Sequence, residues 1–145
     1  MRKTLLLFLI SISPCLFQSC DEIASEALAL RYLTVFDTSG TTILRIHLEL
    51  DTSDQTNITG TWEVKETLLD TLPFFANQSS GKLSGAMPGS KLNLDFSPEW
   101  RDNNLVFIGT ETWDGYYGDW PWISISGGHL MGTFSLLRSG FSNKP

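Results

Sequence analysis

Ile58-Thr59-Gly60-Thr61-Trp62-Glu63-Val64-Lys65 places apolar or small residues at every second position and polar residues between them. A period of two belongs to a strand, whose successive side chains leave on opposite faces. Ile58, Gly60, Trp62 and Val64 therefore share a buried face, and Thr59, Thr61, Glu63 and Lys65 a wet one. The preceding stretch repeats the pattern: Leu44, Ile46, Leu48 and Leu50 alternate with Arg45, His47 and Glu49. Asp51-Thr52-Ser53-Asp54 lies between the two runs and carries the side chains that hydrogen-bond their own backbone in tight turns.

Working outward from this pair, a strand-like run begins at Leu30 and meets a turn at Asp37-Thr38-Ser39-Gly40. Downstream, Leu68 to Gly81 forms a longer connection carrying Leu72-Pro73-Phe74-Phe75. Strands are then expected at Lys82–Met87, Lys91–Phe96, Leu105–Glu111, Tyr116–Ser126 and His129–Arg138. Pro88-Gly89, Ser97–Asn104 and Thr112–Gly115 separate them, and Gly127-Gly128 is a hairpin signal before the last. About eight short strands without a persuasive helix predict an all-β antiparallel meander. Its two free edges need cover, and closure into a barrel removes them. Gly60, Gly85, Gly109, Gly118 and Gly132 each fall inside an expected strand, where glycine weakens pairing but permits the sharp coiling of a small barrel.

The N-terminus reads differently. Arg2 and Lys3 precede an apolar run, Leu5 to Ile10 with Ile12 after one serine, which is the layout of an export signal. The run falls short of the roughly 20 apolar residues of a spanning helix, and Pro14 interrupts it. Leu16-Phe17-Gln18-Ser19-Cys20 resembles the lipobox of bacterial lipoproteins, in which a small residue precedes the cysteine that receives diacylglycerol. Phe17 stands where that family usually has leucine. Cys15 follows Pro14, a poor cleavage context, so Cys20 is the expected lipidation site. The chain then divides into a signal peptide (1–19), a lipidated tether (20–29) and one barrel domain (30–145). The resemblance implies a protein held by its acyl chains to the periplasmic or outer face of a bacterial membrane, with the lipid bilayer as a partner through Cys20. Asp21 resembles the inner-membrane retention residue of enteric lipoproteins, a rule other bacterial groups do not follow, so the choice of membrane stays open.

With Arg2 and Lys3 removed, 8 basic residues face 16 acidic ones, a formal charge of −8 in place of −6. Nucleic acid needs clustered Lys and Arg and is excluded as a partner. Loss of Cys15 and acylation of Cys20 leave no thiol for a disulfide, so the core alone must hold the fold.

No catalytic constellation emerges, and the chain is read as a non-enzyme without a cofactor. His47 lies on a polar strand face and His129 follows the glycine pair, and neither has a partner at metal-ligand spacing. Asp51-Thr52-Ser53-Asp54 lacks the spacing of a calcium loop. The one concentration suited to binding is aromatic: Trp113, Tyr116, Tyr117, Trp120 and Trp122, interleaved with Asp114 and Asp119. Flat rings with polar handles stack on sugars or line a ligand mouth, and they equally plug a barrel end against Trp62 and Trp100.

Gly60-Thr61-Trp62 resembles the Gly-x-Trp signature of lipocalins and related calycin barrels, and Arg138 resembles the basic residue that packs over that tryptophan in those families. The signature normally lies on the first strand, whereas here a hairpin precedes it. The resemblance implies a module that holds a small apolar or glycan-like ligand inside its barrel, with Trp62, Trp113, Tyr116, Tyr117, Trp120 and Trp122 as its binding residues. The alternative is a non-catalytic structural or accessory protein of the cell envelope, with an envelope protein as partner and a filled barrel. A cavity of a few hundred Å³ left among the residues that face inward with Trp62 favours the first, and a filled interior the second.

Overall fold

The computed structural model describes residues 30–68, 78–99 and 103–139. The expected signal peptide, Cys20, the tether, Leu72–Phe75 and Trp100 lie outside them. The strands are β1 (Leu30–Asp37), β2 (Thr42–Asp51), β3 (Ile58–Thr67), β4 (Ser80–Ala86), β5 (Lys91–Asp95), β6 (Asn103–Glu111), β7 (Gly115–Ser124) and β8 (Gly127–Arg138). Each pairs antiparallel with the next, and β8 returns to pair with β1, so the meander is a closed eight-stranded barrel. The expected fold class is the one observed.

Closure follows from how the inner face is filled. Inward residues meet across neighbouring strands as large against small: Trp62 opposite Gly81, Leu94 opposite Gly85, Leu92 opposite Gly109, and Phe134 opposite Gly118. Gly109 and Gly118 also face one another across β6 and β7. A Cβ on Gly118 would lie 1.9 Å from the Ile108 carbonyl oxygen, and one on Gly109 would lie 2.8 Å from the Phe134 ring. The glycine pair thus lets two backbones bend close together and makes the notch that the phenylalanine fills.

One expected boundary is corrected. The β7–β8 turn falls at Ile125-Ser126, and Gly127, expected in the turn, already pairs with Ser124 as the first residue of β8. Gly127 has φ 116°, a backbone conformation that glycine adopts freely as the chain leaves the two-residue turn. Pro121, lacking an N–H, sits where the β7–β8 register shifts between Asp119 and Pro121, so no regular rung of that ladder is lost to it.

Several turns share one device. The Asp37 carboxylate accepts from the Ser39 and Thr41 amides at 2.8 and 2.9 Å, Asp51 from the Ser53 amide at 3.0 Å, and Asp54 from the Thr56 amide at 2.9 Å. Side-chain hydrogen bonds from Ser39, Ser53 and Thr56, with these amides, hold the three carboxyls below the ordinary aspartate range. A depressed folded value means that the stabilisation is present above the unfolded value of about 3.9 and is lost as pH falls through the folded one. The urea midpoint should therefore stay level between about pH 7 and 5 and drop below about pH 4. A midpoint that rises on acidification would contradict this account of the turns.

Candidate functional site

The barrel has two rims. One carries the β2–β3, β4–β5 and β6–β7 turns together with the start of β1 and the end of β8. The other carries the β1–β2, β3–β4, β5–β6 and β7–β8 connections. The aromatic segment expected to form one site is divided between the interior and the two rims, and strand alternation does the dividing.

Tyr116 and Trp120 point inward, at 5% and 1% exposed. The Trp120 indole donates to the Phe36 carbonyl at 2.7 Å, tying β7 to β1. Trp62 is likewise interior, donating to the carbonyls of Lys82 at 3.2 Å and Phe96 at 3.3 Å. Its ring stacks on Phe96 at 5.5 Å, Phe96 meets Phe107 at 4.7 Å, and Phe107 meets Phe134 edge-on at 5.3 Å and Trp120 at 6.5 Å. Five rings thus form one continuous stack, in the offset and edge-on geometries that aromatic pairs favour. Burial pushes the Tyr116 hydroxyl above the ordinary tyrosine range, and the Glu111 carboxylate adds to this.

The stack fills the middle of the barrel. A hole able to hold even a water molecule would leave accessible surface on its walls. Trp62, Phe96, Phe107, Trp120, Phe134 and the inward leucines Leu48, Leu92 and Leu94 each expose 1% or less.

Trp113 and Tyr117 lie outside, and Trp122 shares the inner face of the buried Leu105 near one end. Trp113 projects from the β6–β7 turn at 79% exposed, and Tyr117 is on the outer wall. Trp122 is half-buried and pairs with Leu105 and His129 near the far rim, away from Trp113. The turn holding Trp113 is firmly built. The Thr112 hydroxyl donates to Asp114 Oδ1 at 2.8 Å and the Tyr117 hydroxyl to Asp114 Oδ2 at 2.9 Å. The Thr112 hydroxyl, foremost, holds the Asp114 carboxyl below the ordinary aspartate range, with Tyr117 and the Arg138 charge adding to the effect. The Tyr117 hydroxyl moves up, by burial first and then by its bond to that carboxylate.

Arg138 completes the turn. Its guanidinium donates to the carbonyls of Thr112 at 3.0 Å and Trp113 at 2.9 Å and pairs with Glu111 at 2.6 Å. This corrects the expectation that it covers Trp62. Trp62 packs against Gly81 and Phe96 towards the opposite rim. The planar guanidinium suits the new role, since its several donors can bridge two carbonyls and a carboxylate at once.

Two open recesses lie beside the start of β4, lined largely by polar residues not singled out from the sequence, with Trp62 and His47 at the larger. The larger, about 530 Å³, is bordered by His47, Glu49, Thr61, Glu63, Ser80 and Lys82 and by an edge of the predicted binding residue Trp62, and the smaller, about 380 Å³, by Gln78, Lys82, Phe96, Ser97 and Glu99 among others. His47 is half-buried on this outer wall, 5.6 Å from the Tyr32 ring and opposite Glu63. Lys65 pairs with Glu63 at 2.6 Å and holds its carboxyl below the ordinary range. The signal for this wall was the polar half of each strand pattern. Among the described residues, no three of His, Cys, Asp and Glu converge as metal ligands would.

Comparison with models of protein families, with curated proteins and with solved structures finds no match for this chain.

Proposed function

We propose that this chain is an extracytoplasmic lipoprotein, acylated at Cys20, and that it serves the cell envelope as a non-catalytic accessory protein whose solid barrel presents outer surfaces to a partner. The five-ring interior carries the choice between this reading and ligand carriage. Carrier pockets run from about 300 to 1,000 Å³, and the wall side chains here have almost no surface left for a guest to touch. Tyr116, Trp120 and Trp62 are consumed as packing, while Trp113 and Tyr117 face away from any interior. The membrane half of the proposal rests on Arg2 and Lys3, the Leu5–Ile10 run and Leu16–Cys20.

A second reading is favoured by the 530 Å³ recess on the outer wall. Its volume lies in the ligand range, and Glu49, Glu63, Lys82, Thr61 and Ser80 offer hydrogen bonds to a polar, glycan-like molecule rather than an apolar one.

One preparation tests both. The full chain is expressed in a bacterial host, extracted from membranes and weighed by native and denaturing mass spectrometry. The proposal predicts an N-terminus at Cys20 carrying a diacylglycerol mass, a stoichiometric protein partner and no retained small molecule. Cys20→Ser should move the chain out of the membrane fraction. Retention of Met1 without an acyl group would overturn the lipoprotein reading. A bound small molecule lost on Lys82→Glu would transfer the function to the recess.

A further inference from the structure

We infer that the rim bearing Trp113 docks on the bilayer itself, with the Trp113 indole seated among zwitterionic lipid headgroups. The inference rests on the lipoprotein reading for how the chain reaches the membrane, but its own evidence is geometric.

The path from anchor to indole is short. Residues 20–29 can span at most about 36 Å and end at Leu30, the first residue of β1. Leu30 pairs with Arg138, the last residue of β8, and the Arg138 guanidinium holds the carbonyls of Thr112 and Trp113. The strand that receives the tether is thus one strand and one side chain away from the turn that displays Trp113. A lipid on Cys20 is connected to the barrel at this rim.

The chemistry of the rim fits that surface. Trp113 is 79% exposed, and Tyr32 and Tyr117 are exposed on the outer wall just above it. Tryptophan and tyrosine concentrate at membrane–water boundaries because they join an apolar ring to a polar handle. The turn beneath Trp113 is already fixed by Arg138, Thr112 and Asp114, so seating the ring costs little further ordering. Asp51, Asp54, Glu111 and Asp114 lie on the same rim, and this negative charge selects zwitterionic over anionic headgroups. The opposite rim carries aliphatic Ile125 and Leu130 and lies at the far end of the strands from the point where the tether joins.

The test uses the chain extracted from membranes and reconstituted into phosphatidylcholine vesicles containing lipid brominated close to the headgroup. Bromine quenches a tryptophan only on near contact. The wild-type emission should be quenched, most of that quenching should vanish in Trp113→Ala, and Ile125→Ser should be quenched like the wild type. Adding phosphatidylglycerol should weaken the effect. The bonds from Thr112, Asp114 and Arg138 that hold the turn involve no Trp113 side-chain atom, so Trp113→Ala should still unfold in urea as one cooperative transition. Equal quenching in wild type and Trp113→Ala, or none in either, would overturn the inference. If mass spectrometry finds no acyl group, the lipoprotein reading fails separately. The same comparison is then made with the chain coupled through Cys20 to a maleimide-bearing lipid, in a Cys15→Ser background, and the same outcomes decide the docking claim.

Discussion

Gly118→Ala, the addition of one methyl group, should destabilise the barrel by about 3 kcal/mol or more, at the upper end of what overpacking costs. The new Cβ would lie 1.9 Å from the Ile108 carbonyl oxygen and 2.6 Å from the Gly109 Cα. Both obstacles are backbone atoms of the neighbouring strand, so no side-chain rotation relieves the clash. β6 and β7 would have to separate where they are held to their other neighbours by β5 and β8, and closure passes the displacement around the ring. Gly128→Ala is the control. Its Cβ would meet nothing within 4 Å, and its backbone does not require glycine, so its effect should stay within about 0.5 kcal/mol. Urea unfolding of the two variants measures the difference. Equal midpoints would mean that the close approach of β6 and β7 is not what shapes the barrel.

Phe107→Ala should cost about 3–5 kcal/mol, a large share of the 5–15 kcal/mol by which domains are usually stable. Phe107 is fully buried and touches three other rings of the stack, Phe96, Trp120 and Phe134. Its removal forfeits the transfer of a large apolar side chain and several aromatic contacts, and it leaves a hole. The hole cannot close easily, because the surrounding strands are fixed by hydrogen bonds on both edges. A cavity of that kind stays dry and binds xenon. The variant should therefore show both a lowered urea midpoint and xenon-induced shifts of the methyl signals of Leu94 and Leu136. A loss below about 1 kcal/mol would show that the interior collapses around the gap.

The strand content was legible because burial on one face writes itself as a period of two. Leu44–Leu50 and Ile58–Val64 carry it cleanly, and both are strands with those residues inward. Closure was legible more indirectly, through glycines inside strands, which the Gly109–Gly118 pair explains by geometry. The exact place of the β7–β8 turn is not legible, because a glycine pair signals a turn without saying which residues form it, and Gly127 supplies the positive φ just after it. Nearness in sequence does not make the aromatic segment one site. Its own alternation divides it, Tyr116 and Trp120 going inward and Tyr117 outward, and that signal was present in the residues. The task of Arg138 was not legible. It depends on the end of β8 lying beside the β6–β7 turn, which only strand order and register establish. The outer recess was hidden for the same reason, since its polar residues come from three strands whose stagger the sequence does not state.

The central claim is that the barrel is solid and that its function lies on its outer surfaces. Xenon-pressure NMR of the unmodified chain tests it most directly, because xenon enters any dry apolar cavity large enough to hold it. The inward methyl groups of Leu48, Leu92, Leu94 and Leu136 should show no shift beyond that of exposed methyls such as Ile125. A saturating shift at the inward methyls of the wild-type chain would reveal an interior site and contradict the account.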